Sequence, residues 1–424
     1  MSNPQVTTLA NGLRVITEPM VGVRSVALGI WVGTGSRYET DAEAGIAHFI
    51  EHLVFKGTPS YSAREIAEHF DGLGGEVNAA TGRDYTVFYT RVLDEHLDQA
   101  APVLADMLQR PGFYELDQER QVVIEEIAMY DDDPQDKVHE LIGAAVFPGQ
   151  PLGRPVIGTE QVIGTVPREQ ITGYFGAHYT TTNTVIAASG AIDHDHVVAL
   201  AERLFADMPT GSGARTFEPA SIGAPTLVAR EKTTEQYHVA FGASGISRDD
   251  PRRHAQSVLD TILGGSMSSR LFQEIRERRG LAYSVGSYTA AFAETGQVGL
   301  YLGTRPDNLV AACEIVSAEL ERLATQPIDE TELVRAKEHL KGRLVLSLES
   351  PTMRMNRVGR ALVTGAEQLT MDEHLTRVAA VTADDVRALA EEFWTPGRFS
   401  LAAIGPDVDL IARAASAFSP ALTA

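Results

Sequence analysis

Two histidines four residues apart, His48 and His52, flank a carboxylate in the segment Ala47-His48-Phe49-Ile50-Glu51-His52-Leu53. On a helix, residues i and i+4 share one face, so both imidazoles can reach a single metal ion. Glu51, one position before His52, leans toward that ion's open coordination position and suits a general base rather than a ligand. The chemistry this pattern supports is that of a catalytic zinc site. The plainer alternative is a pair of histidines on an amphipathic surface helix. Against it, Ile46, Phe49, Ile50 and Leu53 make most of the segment apolar, which buries the imidazoles at least in part. Buried imidazoles need partners, and a metal is one.

The element that must hold them reads as a helix. Thr40 followed by Glu43 has the form of a capping box, no proline occurs from Ala42 to Phe55, and Lys56-Gly57 followed by Pro59 stops the helix. A catalytic zinc needs a third protein ligand, from a second segment able to pack beside the first. The segment Glu115 to Tyr130 is strongly helical in composition, with Val122, Val123 and Ile127 as its apolar face. Glu119 and Glu126 are seven residues apart and nearly eclipsed on it, whereas Glu125 is turned by about 100°. Glu126 is therefore taken as the ligand, Glu119 as a carboxylate behind the ligands that tunes or orients them, and Glu125 as the alternative ligand.

The chain repeats weakly at a period near 212 residues: Val26-Ala27-Leu28-Gly29 and Ser36-Arg37 are echoed by Val239-Ala240-Phe241-Gly242 and Ser247-Arg248. Each half reads as strand, helices, paired strands and long helix. The expected fold is α+β, with two homologous domains, each a mainly antiparallel sheet with helices packed on one face. The expected boundaries are 1–212 for a metal-binding catalytic domain, 213–225 for a Pro/Gly-rich linker, and 226–424 for a homologous domain without metal. The repeat lays Asp260, Leu263 and Gly264 opposite His48, Glu51 and His52, so the second half cannot hold the same ion. Its glycine-rich turn, Gly264 to Ser269, contains neither Gly-Lys-Ser/Thr nor Gly-x-Gly-x-x-Gly, which argues against nucleotide binding.

The chain has 424 residues, 44% of them hydrophobic, enough for two sizeable cores. With 36 basic against 57 acidic residues, net −21, nucleic acid and anionic membrane surfaces are excluded as expected partners. Cys313 is the single cysteine, so no internal disulfide can form. The amino-terminal residues lack the basic and apolar regions of a secretion signal and no stretch is long enough to span a membrane, so a cytoplasmic location is expected.

Several segments, in order, resemble the pitrilysin-type (inverzincin) zinc metallopeptidases, in particular their bacterial branch similar to the mitochondrial processing peptidase. They are Thr8 to Val15; His48 to Gly57, with its inverted His-x-x-Glu-His order; Gly74 to Ala79 followed by Asp84-Tyr85-Thr86; the Glu119 to Glu126 helix; and Leu263 to Tyr283. The resemblance implies a zinc endopeptidase with one Zn2+ per chain on His48, His52 and Glu126, with Glu51 and Glu119 among its catalytic groups. It implies that peptide adds as a strand at Asn78-Ala79, and that Arg276 and Tyr283 reach the substrate, Tyr283 by hydrogen bonding to the developing oxyanion. It implies, too, a closed clamshell chamber of four homologous domains, of which this chain supplies two. A homodimer, with each active site completed by the partner chain, is the simplest completion. The rival is a catalytically silent structural or assembly subunit of the same fold, which would have no chemical need for the full set His48, Glu51, His52 and Glu126. A structural zinc module is disfavoured because a closed site would take a fourth ligand, typically Cys.

Overall fold

The structure, a computed structural model, describes residues 3–211, 217 and 219–422. Two compact units divide the chain: Met1–Ala128, Pro155–Glu218 and Val345–Met371 form one, and Met129–Arg154, Pro219–Leu344 and Asp372–Ala424 form the other. The division expected from sequence, 1–212 against 226–424, is therefore crossed twice. Of the expected linker, residues 213–216 and 218 lie outside the described residues.

The first unit is built on six strands: β1 (Gln5–Thr8), β2 (Arg14–Pro19), β3 (Ser25–Val32), β4 (Glu76–Thr81), β5 (Thr86–Leu93) and β6 (Thr184–Gly190). Their order is β1-β2-β6-β3-β5-β4, with β2 and β6 parallel and every other pair antiparallel. The second unit repeats the plan with β7 (Leu227–Glu231), β8 (Tyr237–Gly245), β9 (Ala282–Ala291), β10 (Gly296–Thr304) and β11 (Ser400–Gly405), in the order β7-β11-β8-β10-β9. Here too one pair, β7 with β11, is parallel. The fold is thus α+β with two homologous, mainly antiparallel sheets.

The weak repeat has a physical reason. In β3, Val26, Leu28, Ile30 and Val32 point into the main core, against the Ile46–Val54 and Leu97–Gln109 helices among others. The opposite parity, Ala27 and Trp31, meets Met355, Val358 and Val363 of the Pro351–Thr364 helix. Strands whose successive side chains are buried on alternate faces must be covered on both. In β8, Tyr237, Val239, Phe241 and Ala243 likewise join the main core, while Ala240 meets Val138 and Ile142 of the Pro134–Val146 helix. Gly29 and Gly242 sit at equivalent contacts, where an added Cβ would lie 2.5 Å from Met355 Sδ and 2.6 Å from Ile142 Cγ1. The helices expected on one face are present, and each sheet also carries one helix on its other face. That helix comes from the opposite half of the sequence, so neither half's periodicity announces it.

The Pro351–Thr364 helix is further anchored by an ion triad in which Glu18 and Arg354 are buried and Arg357 is partly so. Glu18 Oε1 lies 3.0 Å from Arg354 Nη1, and Glu18 Oε2 lies 2.6 Å from Arg357 Nη2. A Cβ on Gly359 would come 2.3 Å from Trp31 Nε1, inside a closely packed indole contact. Gly359→Val is expected to destabilise the protein by about 1–3 kcal/mol through overpacking, well above the few tenths gained in helix propensity. Urea denaturation reads this directly, and an unchanged midpoint would show that the helix does not press on Trp31.

Candidate metal centre

The helix bearing the histidines begins later than its capping pattern suggests. Glu43 accepts from the Thr40 backbone N–H at 3.0 Å, but this closes a single 3-10 turn at Asp41–Glu43. The α-helix starts at Ile46, after Gly45 at φ 94°, where a Cβ would meet Ile157 O at 2.6 Å. Glu39 caps it remotely, accepting from Gly45 N at 2.8 Å and Ala47 N at 2.9 Å. Phe49, Ile50 and Leu53 are fully buried, which turns His48 and His52 to the half-buried side.

The second helix, Leu116–Asp132, packs Val123, Ile124 and Ile127 against the same core. Val122, expected on that face, is exposed instead, because the apolar stripe runs through Ile124. Arg120 fixes the helix's placement: it donates to the Ile163 and Val166 carbonyls and lies 5.6 Å from the Phe49 ring centroid.

These two helices bring His48, His52 and Glu126 together, with one ligand atom of each within 4.8 Å of the others. Glu126 Oε2 lies 3.3 Å from His52 Nε2 and 3.9 Å from His48 Nε2. Donors bound about 2.0–2.1 Å from a tetrahedral ion stand roughly 3.3 Å apart, so this spacing fits zinc. Glu125 is exposed and stands outside the cluster. Glu119 Oε1 lies 2.9 Å from His52 Nδ1. A carboxylate only accepts, so Nδ1 carries the proton and Nε2 keeps its lone pair for a metal. Burial, then the neighbouring His52, push the His48 imidazole down to about 4, which leaves it in the neutral form a metal requires. Among the described residues no fourth His, Cys, Asp or Glu joins the cluster, and Cys313 is buried in the other core. The donor set is therefore that of an open site.

Glu51 is held beside the cluster by Thr81, whose Oγ1 donates to Oε2 at 2.5 Å. Burial raises the Glu51 carboxyl above the ordinary carboxylate range, and the Thr81 hydrogen bond opposes that shift. Thr81 was not singled out by sequence, although alternation in β4 puts it on the same half-buried face as Val77 and Ala79. Asn78 is exposed on β4, the outermost strand, and its Oδ1 accepts from Ala79 N at 2.8 Å. Arg276 and Tyr283 lie in the second unit and meet each other. Arg276 Nη1 donates to the Tyr283 carbonyl at 3.0 Å, and its guanidinium stands 4.2 Å from the ring centroid. Tyr283 is 76% exposed. Arg276 Nε lies 3.8 Å from Glu277, while Glu274 is taken by Arg278 and Arg279.

The choice between adjacent carboxylates gives a direct expectation: Glu126→Gln loses zinc, and Glu125→Gln keeps the wild-type metal content. Metal analysis after dialysis reads both, and the reverse result would put the ligand on the other helix face.

Residues 14–160 match the family described as "Insulinase (Peptidase family M16)", and residues 165–340 match "Peptidase M16 inactive domain". His48, Glu51, His52, Glu119 and Glu126 all fall in the first match. A protein of Streptomyces coelicolor named as an uncharacterized zinc protease is 44% identical, covering 94% of this chain and 89% of its own length. One of Bacillus subtilis with the same description is 41% identical, covering 94% and 97%. Among solved structures, a protease from Helicobacter pylori superposes with a TM-score of 0.90 at 22% identity, covering 96% of this chain and 100% of that one. A peptidase M16 inactive domain from Pseudomonas fluorescens gives 0.89 at 22% identity, covering 96% and 98%.

Proposed function

We propose that this chain, which belongs to the insulinase (M16) family of peptidases, is a zinc-dependent endopeptidase acting on peptides or unfolded polypeptides. The observation that carries this reading is the convergence of His48, His52 and Glu126 beside a half-buried Glu51 that is not among the ligand atoms. One zinc ion per chain, held by His48, His52 and Glu126, would supply Lewis acidity and an activated water. Glu51 takes the proton released as the peptide carbonyl is attacked and returns it to the departing amine. Thr81 holds the carboxyl oxygen in place for that transfer, and Glu119 keeps the His52 ring in one tautomer. The free edge of β4 at Asn78-Ala79 offers backbone groups on which an extended peptide can add as a strand, with little demand on its sequence. In this reading Tyr283, which is exposed with its ring against Arg276, serves as the oxyanion donor, and Arg276 holds substrate backbone.

This reading includes a closed clamshell chamber built by a homodimer, in which each site is completed by the partner chain. If part of the net charge of −21 lines that chamber, basic peptides are favoured. No helix among the described residues is long and apolar enough to cross a membrane. A cytoplasmic site of action belongs to the proposal and rests on the single buried thiol.

The test is cleavage of a mixed library of unstructured peptides, read by mass spectrometry. Internal cuts that generate new amino termini within the peptides, and that stop in Glu51→Gln, are the expected result. Trimming from chain ends alone would overturn the endopeptidase reading.

A further inference from the structure

We propose that Lys56 is a positioning residue for the metal centre, acting on His52 through Glu119. The inference rests on the zinc reading above. Lys56 follows the histidine helix, its N–H donating to the Leu53 carbonyl at 3.1 Å, and Gly57 at φ 106° then turns the chain away. Its ammonium does not run out to solvent. Nζ lies 2.5 Å from Glu119 Oε2, with the lysine side chain 26% exposed.

Glu119 is the reason this contact matters. It is 3% exposed, and a carboxylate so far from water is costly unless a counter-charge and hydrogen bonds compensate it. Its two oxygens divide the work. Oε1 receives His52 Nδ1 at 2.9 Å, and Oε2 accepts no aligned hydrogen bond, so the approach of Lys56 is its compensation. The result is a line of contacts from Lys56 through Glu119 and His52 to the Glu126 carboxylate. With Lys56 in place, the Glu119 carboxylate has one orientation in which both oxygens are served. That orientation points Oε1 at Nδ1, and with Nδ1 protonated the Nε2 lone pair faces the ligand cluster. Without the ammonium, Glu119 is free to turn its second oxygen elsewhere, and the constraint on the His52 ring is lost.

The competing explanation for Lys56 is ordinary: a cation near the carboxyl end of a helix interacts favourably with the helix dipole wherever its side chain points. The two accounts separate in a double-mutant cycle read by zinc affinity, measured by competition against a chromophoric chelator at fixed pH. In the positioning account, Lys56→Met keeps the aliphatic stem and weakens zinc binding about 10- to 100-fold, the range usual for groups behind a metal ligand. Lys56→Arg stays within about 3-fold of wild type, since it retains the charge. In the Glu119→Gln background, Lys56→Met adds less than about 3-fold, because the group through which it acts is already gone. A dipole or packing role instead predicts the same loss in both backgrounds, a result that overturns the proposal. So does a Lys56→Met protein that binds zinc as tightly as wild type. Melting of the metal-free variants is followed in parallel, and where Lys56→Met lowers it, the coupling in the cycle still decides, since each single effect cancels. Glu126→Gln is titrated alongside. If the wild type binds zinc no better than Glu126→Gln, the zinc reading fails. If it binds better and the cycle shows no coupling, only the role of Lys56 fails.

Discussion

Glu51→Gln is expected to keep its zinc and lose at least about 100-fold in kcat. The amide occupies the same volume and can still accept from Thr81 Oγ1, so the local packing around His48 and His52 survives. What it cannot do is take a proton. Since Glu51 is not among the converging ligand atoms, metal content should match wild type while turnover collapses. A variant that loses zinc as Glu126→Gln does would make Glu51 a ligand, and one that keeps its turnover would remove it from the chemistry.

The second large effect concerns assembly. If Arg276 and Tyr283 serve the partner chain's zinc, then Glu51→Gln and Tyr283→Phe, each nearly inactive alone, restore activity when mixed and allowed to exchange subunits. A mixed dimer then has one site carrying both lesions and one carrying neither, and up to half of wild-type activity per mixed dimer returns. If both groups act within one chain, every site in the mixed dimer carries one lesion and nothing is recovered. No recovery after confirmed exchange would refute the composite site, and a strictly monomeric active species would refute the dimer.

Much of this arrangement was legible in the chain because it is local. His48, Glu51 and His52 lie within a single helical turn and a half, and the seven-residue spacing of Glu119 and Glu126 decides which carboxylates share a side. The α+β class and the doubled sheet follow from strand and helix periods that each half carries separately. What was not legible depends on contacts distant in sequence. The Pro351–Thr364 helix covers β3 more than 300 residues away, and its contact at Gly29 is written only as a missing side chain. Thr81 reaches Glu51 from a strand whose alternation is clear but whose register against the helix is not. Lys56 reads as a helix terminator, and nothing in its neighbours says that its ammonium turns back to Glu119. The capping box at Thr40 forms but starts only a 3-10 turn, because Glu39, which caps the α-helix itself, acts across a turn that only the fold creates.

The role proposed for His48, His52 and Glu126 is to hold a catalytic zinc ion. It is tested most directly by measuring metal content, peptide cleavage and melting of the purified protein before chelation, after chelation and after zinc is returned. About one zinc per chain, loss of cleavage on chelation without loss of the fold, and recovery when zinc is restored are the expected results. The fold survives because the two cores do not depend on the ion. Full cleavage activity in a verified metal-free sample would contradict it.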